Sequence, residues 1–224
     1  FGILITNLGI IFSNIGIRES SINRNTRSID ISQSRGMIYD RNMKKIVNST
    51  TKTVTVALPT EKAFNTIKSY ISEEQTQSFY ENSKNGKVSI LHIPETFYEK
   101  HIKSVDCVTR YSDNQPCVHL IGHLDENGQG AMGLENAYES YLSRNNGTLK
   151  AFWNIDALGN ILTGEGINFK SENYLSPAGI QLTIDLDIQK IAEDSLNKTG
   201  INKGAVIVLN SYTNEILATA SVPA

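Results

Sequence analysis

Three short patterns could together carry acyl-transfer chemistry: Ser49-Thr50-Thr51-Lys52, Ser112-Asp113-Asn114 and Lys198-Thr199-Gly200, in that order along the chain. In such a site a serine one helical turn from a lysine attacks a carbonyl while the amine takes its proton. That spacing works only on a helix, because residues three apart share a face there and point to opposite faces in a strand. Lys52 instead opens the run Lys52 to Leu58, which sets Val54, Val56 and Leu58 on one face and threonines on the other, the period of a half-buried strand. Lys198 ends a helical stretch whose natural C′ glycine is Gly200, so the lysine reads as a cap on the negative end of a helix dipole. Ser112, Asp113 and Asn114 are the residues expected of a turn. A second S-x-x-K, Ser195 to Lys198, shows how cheaply the pattern arises. No catalytic residue is assigned.

Cys107, Cys117, His119 and His123 could be gathered into a zinc tetrad, but C-x9-C-x-H-x3-H is not a usual ligand spacing, and no metal or cofactor is expected. Two thiols on paired strands can equally form a disulfide or fill a core, and both readings stay open. Asp40, Asp125 and Glu135 have no obvious partner acid for general acid–base work.

The elements that must hold these residues belong to an α+β fold of short strands and helices. A chain of 224 residues with 39% hydrophobic and 20% charged residues fits one large domain or two unequal ones, and excludes disorder and coiled coil. A net charge of −2 provides no basic field for nucleic acid. Residues 1–17 are mostly apolar and uncharged, and read as a remnant of a membrane anchor or as an apolar N-terminal helix. Strands are expected at Arg27 to Ile31, Met37 to Tyr39, Lys52 to Leu58 and Val88 to Ile93. Helices are expected after Pro59-Thr60-Glu61, over Ser72 to Tyr80, over Pro94 to Lys103 and over Leu134 to Ser143. Val105 to Tyr111 is expected to pair with Val118 to Leu124, and two strands to flank Ala157-Leu158-Gly159-Asn160. Polar, irregular residues from Asn168 to Gly179 then precede a β-α-β-β unit. Its first strand is Gln181 to Ile184, and its helix is capped by Asp185 or Asp187 and striped with Ile188, Ile191, Ala192, Ser195 and Leu196. Its hairpin joins Gly204 to Leu209 with Glu215 to Ala220. Both hairpin strands are apolar on both faces and call for a partner layer.

Four blocks carry a resemblance. Arg35-Gly36-Met37-Ile38-Tyr39-Asp40-Arg41-Asn42 is similar to R-G-x-I-x-D-R-N. His119 to His123 followed by Gly130, Gly133, Leu134 and Glu135 is similar to H-x-x-G and then G-x-x-G-x-E. Leu182-Thr183-Ile184-Asp185 with Gln189 and Glu193 is similar to L-T-I-D-x-x-x-Q-x-x-x-E, and Gly204 to Pro223 resembles a hairpin ending in A-S-x-P. Together they resemble the N-terminal part of class B penicillin-binding proteins, the membrane-anchored D,D-transpeptidases of bacterial cell-wall synthesis. Met43 stands where a glycine is common after D-R-N, and no proline follows Arg110-Tyr111 closely.

The resemblance implies an elongated, non-catalytic pedestal (dimerisation) domain over 18–179, preceded by an anchor remnant at 1–17 and followed at 180–224 by an incomplete start of the transpeptidase domain. The family's catalytic S-x-x-K is expected beyond Ala224. Implied partners are a SEDS-type glycan polymerase and other cell-wall synthesis proteins, the chain's own transpeptidase domain, and the bacterial membrane, with the globular part extracytoplasmic and no nucleic acid. Arg35 or Arg41 is expected to pair with Glu135 as a bidentate lock, with close backbone approach at Gly36, Gly130 and Gly133. The rival reading is a self-contained, β-lactamase-like penicilloyl-serine enzyme using Ser49, Lys52, Ser112 and Lys198. A small zinc protein is a distant third.

Overall fold

A computed structural model describes residues 25–223. They form an α+β fold that divides into two compact units, one holding residues 53–107 and 149–170 with the start of the first strand, the other 32–52, 108–148 and 171–223.

In the first unit, β3 (Thr50–Ala57), β4 (Ser89–Leu91), β5 (Tyr98–Glu99) and β6 (Ile102–Thr109) make a sheet of order β4-β3-β6-β5, with β4 and β5 antiparallel to their neighbours. The expected half-buried strand is buried on both faces from Val54 onward. Thr55 has no exposed surface because its hydroxyl bonds the Ser104 hydroxyl at 2.8 Å, which removes the cost of burying it. Thr60 caps α1 (Glu61–Ile67) by accepting from Ala63 N–H, and Ser72 with Gln75 forms a capping box on α2 (Glu73–Lys84). Ala63, Ile67 and Phe79 of these helices bury against Ala57, Leu91, Ile93 and Ile102. The helix expected over Pro94 to Lys103 is not formed. That stretch turns back through β5 into β6, and Ser104 accepts the Phe97 N–H on its hydroxyl while donating its own N–H to Phe97 O.

β1 (Thr26–Ser34), β7 (Gly147–Asn154) and β8 (Asn168–Glu172) form a second sheet of order β1-β7-β8. β8 occupies part of the stretch expected to be irregular. After Asn160 only an isolated bridge, Ile155 to Ile161, replaces the second expected strand.

The second unit is built on β2 (Met37–Tyr39), which pairs in parallel with β9 (Gly179–Gln181). The first strand of the β-α-β-β unit therefore lies two residues earlier than expected. Val118 to Leu124 is not a strand: residues Val118–Ile121 form the short helix α3, entered from Cys117 in a left-handed conformation, φ 56°. The single helix expected over Leu134 to Ser143 breaks at Tyr138 into α4 (Gly133–Ala137) and α5 (Glu139–Arg144). Ile38, Ile46, Val47, Cys117, Ile121, Leu142 and Ile184 form this unit's main core. A smaller core lies between α6 (Leu186–Thr199) and the antiparallel hairpin of β10 (Gly204–Leu209) and β11 (Ile216–Val222). Ala192 and Leu196 are buried and Ile188 packs beside them, but Ile191 is 66% exposed and Ser195 is also exposed, so the helix's apolar stripe is narrower than its sequence suggests.

No helix among the described residues is long and apolar enough to cross a membrane, and the apolar stretch 1–17 lies outside those residues.

Candidate functional site

Two polar constellations stand out in the second unit. The first is centred on Glu135, which has no exposed surface although it lies in the first turn of α4. Its Oε2 lies 3.0 Å from Arg35 Nε, and its Oε1 is 2.7 Å from Arg110 Nε and 3.2 Å from the Tyr111 hydroxyl. Arg35, 7% exposed, also reaches Glu139 Oε2 with Nη2 at 2.5 Å, and the same oxygen accepts the Gly130 N–H at 2.6 Å. Arg110 Nη1 donates to Gly36 O at 2.7 Å, and Asn48 Nδ2 to Arg35 O at 3.1 Å. Two guanidinium groups thus face two carboxylates, so the formal charge cancels, with Glu139 at the half-exposed edge of the cluster. Each buried ion is expensive to desolvate, and only such multiple pairing offsets that cost.

Burial pushes the Tyr111 hydroxyl up to about 12, with Glu135 adding to the shift, so the phenol keeps its proton. Burial lowers the Arg110 pKa, opposed by the charge of Glu135. The hydrogen bond from Arg35 and the one from Gly130 N–H hold Glu139 below the usual carboxylate range. The cluster contains no nucleophile and no base waiting for a proton. Its chemistry is positioning.

Close backbone contact explains the glycines. A Cβ on Gly130 would stand 2.0 Å from Glu135 O, and Gly133 takes a φ of 61° with Leu120 O only 2.6 Å from its Cβ position. Gly36 donates its N–H to Leu142 O at 3.1 Å.

The second constellation fastens residues 40–44 to the start of α6. Asp40 has no exposed surface. Its Oδ1 accepts the N–H groups of Asn42 and Lys44, both at 2.8 Å, and its Oδ2 accepts the Leu186 N–H at 3.4 Å. Asp185, the N-cap, accepts from the N–H groups of Asp187 and Ile188, and Asn42 Nδ2 donates to its other oxygen at 3.3 Å. Although partial burial pushes the Asp185 carboxyl up, these hydrogen bonds outweigh it and hold the group below its ordinary value. Lys44 Nζ pairs with Asp187 at 2.8 Å, a bond that raises the lysine's pKa. Farther along the helix, Gln189 has no exposed surface. Its amide donates to Thr219 O at 2.7 Å and to Glu193 Oε1 at 2.6 Å, and accepts the Thr219 N–H at 2.8 Å. The same Glu193 oxygen accepts the Cys117 N–H at 2.9 Å.

Of the two arginines expected as partner to Glu135, Arg35 makes the pair, and Arg41 instead lies 3.6 Å from Glu215. Arg110, Tyr111 and Glu139 were not expected in the cluster. The i, i+4 spacing of Glu135 and Glu139 was the available signal, since both carboxylates then point the same way across the break between α4 and α5.

The lookalike acyl-transfer residues are not assembled. Lys52 lies in β3, Lys198 in the last turn of α6 before Gly200 at φ 67°, and the Ser112 N–H is taken by Gln115 Oε1 in a turn. A cleft of about 1090 Å³ runs beside residues 111–123, α6 and β11, and of Ser49, Lys52, Ser112 and Lys198 only Ser112 borders it. Among the described residues no three of the His, Cys, Asp and Glu side chains gather closely enough to hold a metal ion, and no disulfide is formed; both Cys107 and Cys117 are buried.

No family model matches the sequence. Curated proteins do. The chain is 31% identical over 135 residues to a peptidoglycan D,D-transpeptidase FtsI homolog of Mesostigma viride, covering 55% of this chain and 21% of that protein. It is 31% identical over 145 residues to a probable peptidoglycan D,D-transpeptidase PenA of Neisseria meningitidis, covering 62% and 23%. The chain is a relative of the class B penicillin-binding proteins. It spans roughly a fifth of the length of these relatives. Among solved structures, penicillin-binding protein PBP2 of Helicobacter pylori has 19% identity and a TM-score of 0.49 over 88% of this chain and 43% of that one. A peptidoglycan synthetase of Bifidobacterium adolescentis has 19% identity and a TM-score of 0.43, covering 88% and 44%.

Proposed function

We propose that this chain is the non-catalytic N-terminal region of a peptidoglycan D,D-transpeptidase. Residues 18–179 act as the pedestal, 180–224 begin the transpeptidase domain, and 1–17 belong to a membrane anchor that leaves the globular part extracytoplasmic. The pedestal positions the catalytic domain and docks cell-wall synthesis partners, a SEDS-type glycan polymerase among them. The observation that carries this reading is how the block residues and the charged neighbours they meet are spent. Arg35, Arg110 and Glu135 neutralise one another in the interior with the half-exposed Glu139 at its edge, while Asp40, Asn42 and Lys44 are committed to the first turn of α6. A pedestal must hold the next segment in one orientation, and a network centred on buried charges does that better than isolated exposed pairs.

The test is incubation of the purified chain with a fluorescent penicillin. No covalent label is expected. Labelling that Ser49→Ala abolishes would establish the rival acylating enzyme. Copurification of the chain with a SEDS-type polymerase in detergent tests the docking role, and failure to copurify would remove that partner.

A further inference from the structure

Tyr174 stands between two residues in the left-handed region, Asn173 at φ 54° and Leu175 at φ 61°. Asparagine tolerates that region. Leucine rarely enters it, and at 38% exposed this one gains little from packing. The strained backbone secures a set of long-range bonds. The Tyr174 hydroxyl accepts the N–H of Val108, near the end of β6, at 2.9 Å, and lies 2.9 Å from the Ser32 hydroxyl of β1. Leu175 N–H donates to Ser34 Oγ at 3.1 Å, and a Cβ on Gly147, at the start of β7, would stand 2.1 Å from Asn173 O. Ser176 N–H donates back to Asn173 O at 3.1 Å and closes the turn. Residues 173–176 thus hold the ends of β1, β6 and β7. The chain is fixed independently on the far side, where Met37 N–H donates to Ala178 O and the Tyr39 hydroxyl to Pro177 O, both at 2.9 Å.

We propose that residues 173–176 are a strained clasp that opens as one unit. In the closed state Tyr174 is seated between β1 and β6. In the open state Asn173 and Leu175 leave the left-handed region, the tyrosine withdraws, and the Val108 N–H and the hydroxyls of Ser32 and Ser34 turn to water. Water satisfies all three groups, so opening costs only the net worth of a few hydrogen bonds, a quantity of the same order as the relief of a left-handed leucine. Terms so nearly balanced keep the open state populated, at a fraction on the order of 1%. The bonds at Pro177 and Ala178 bound the motion, so β9 stays on β2 and the segment that follows keeps its orientation. A partner that touches Leu175 in one state alone shifts the balance by its differential affinity, and the clasp carries that shift to β1 and β6. This inference rests on the bonds of residues 173–176, goes beyond the proposed function, and stands if that reading fails.

Native-state hydrogen exchange of the full chain, with Leu175→Gly and Tyr174→Phe, tests it. The amides of Val108 and Leu175 are expected to exchange through one shared opening that falls well short of global unfolding. Glycine at 175 adopts the left-handed conformation freely, so the closed state gains, and exchange at Val108 should slow at least about threefold although residue 175 makes no bond to it. Phenylalanine at 174 removes the acceptor of Val108, and the Leu175 amide, whose own bond to Ser34 is untouched, should exchange about fivefold faster. Independent bonds do not give that crossed response. Exchange of both amides only on global unfolding, or a response of each amide only to the substitution that alters its own bond, overturns the proposal.

Discussion

Arg110 and Glu135 meet with Nε and Nη2 of the arginine both 2.7 Å from Oε1 of the glutamate, while the other carboxylate oxygen belongs to Arg35. One fully buried acid thus joins the end of β6, the turn after β1 and the first turn of α4. Removing its charge leaves two arginines with too little counter-charge in a site that water does not reach.

Glu135→Gln is therefore expected to destabilise the fold by about 3–5 kcal/mol, the usual consequence of breaking a buried pair from one side. Urea unfolding measures it. An unchanged midpoint at unchanged slope would show that the lock contributes nothing.

Gln189→Leu keeps the volume but strands the N–H and C=O of Thr219. Each buried orphan costs about 1–3 kcal/mol, so a loss of at least about 2 kcal/mol is expected, centred on α6 and β11. Hydrogen exchange locates it: Thr219 should lose protection while β3 and β6 keep theirs.

Met43 takes a left-handed φ of 60° and is 57% exposed, so its side chain gains little from packing. Met43→Gly relieves that conformation, and the extra freedom of glycine in the unfolded chain offsets part of the gain. A net stabilisation of about 0.5 kcal/mol is expected in thermal unfolding. Destabilisation would mean that Met43 makes a contact worth more than its backbone strain.

Stability should fall at both ends of the pH scale. Glu139 and Asp185 are held below their ordinary values, so their contribution is complete above the unfolded carboxylate range and is lost as pH drops through their folded values. Tyr111 is raised from 10.0 to about 12, so the stability tied to its neutral form is complete below 10 and is lost as pH climbs toward 12. Tyr111→Phe should flatten the alkaline limb alone, as read by unfolding free energy against pH. An unchanged limb would place its origin elsewhere.

Local signals anticipated the parts of this fold that depend on local chemistry. Asp185 caps α6 and Gly200 ends it because an N-cap carboxylate and a left-handed glycine act within a few residues of the helix itself. Ser72 and Gln75 announce α2 in the same way. The misreadings fall where distant partners decide. The segment Val118–Ile121 is apolar enough for a strand, yet Cys117 turns left-handed and Glu193, far along the chain, holds its N–H. Pro94 to Lys103 has helix-tolerant composition but is claimed by the β5–β6 turn. Arg35 and Glu135 each bore a motif, so their pairing could be guessed, with Arg41 as the wrong alternative. Arg110 belonged to no periodic pattern pointing at Glu135, and pairings across 25 residues leave no trace in a hydropathy period.

A double-mutant cycle on Arg110→Met and Glu135→Gln, read as unfolding free energy, tests most directly whether these charges are spent on holding the second unit together. If they are, the two losses are strongly non-additive, with a coupling of about 2 kcal/mol or more. Additive losses, with a coupling near zero, would contradict the account and leave the buried cluster without a structural role.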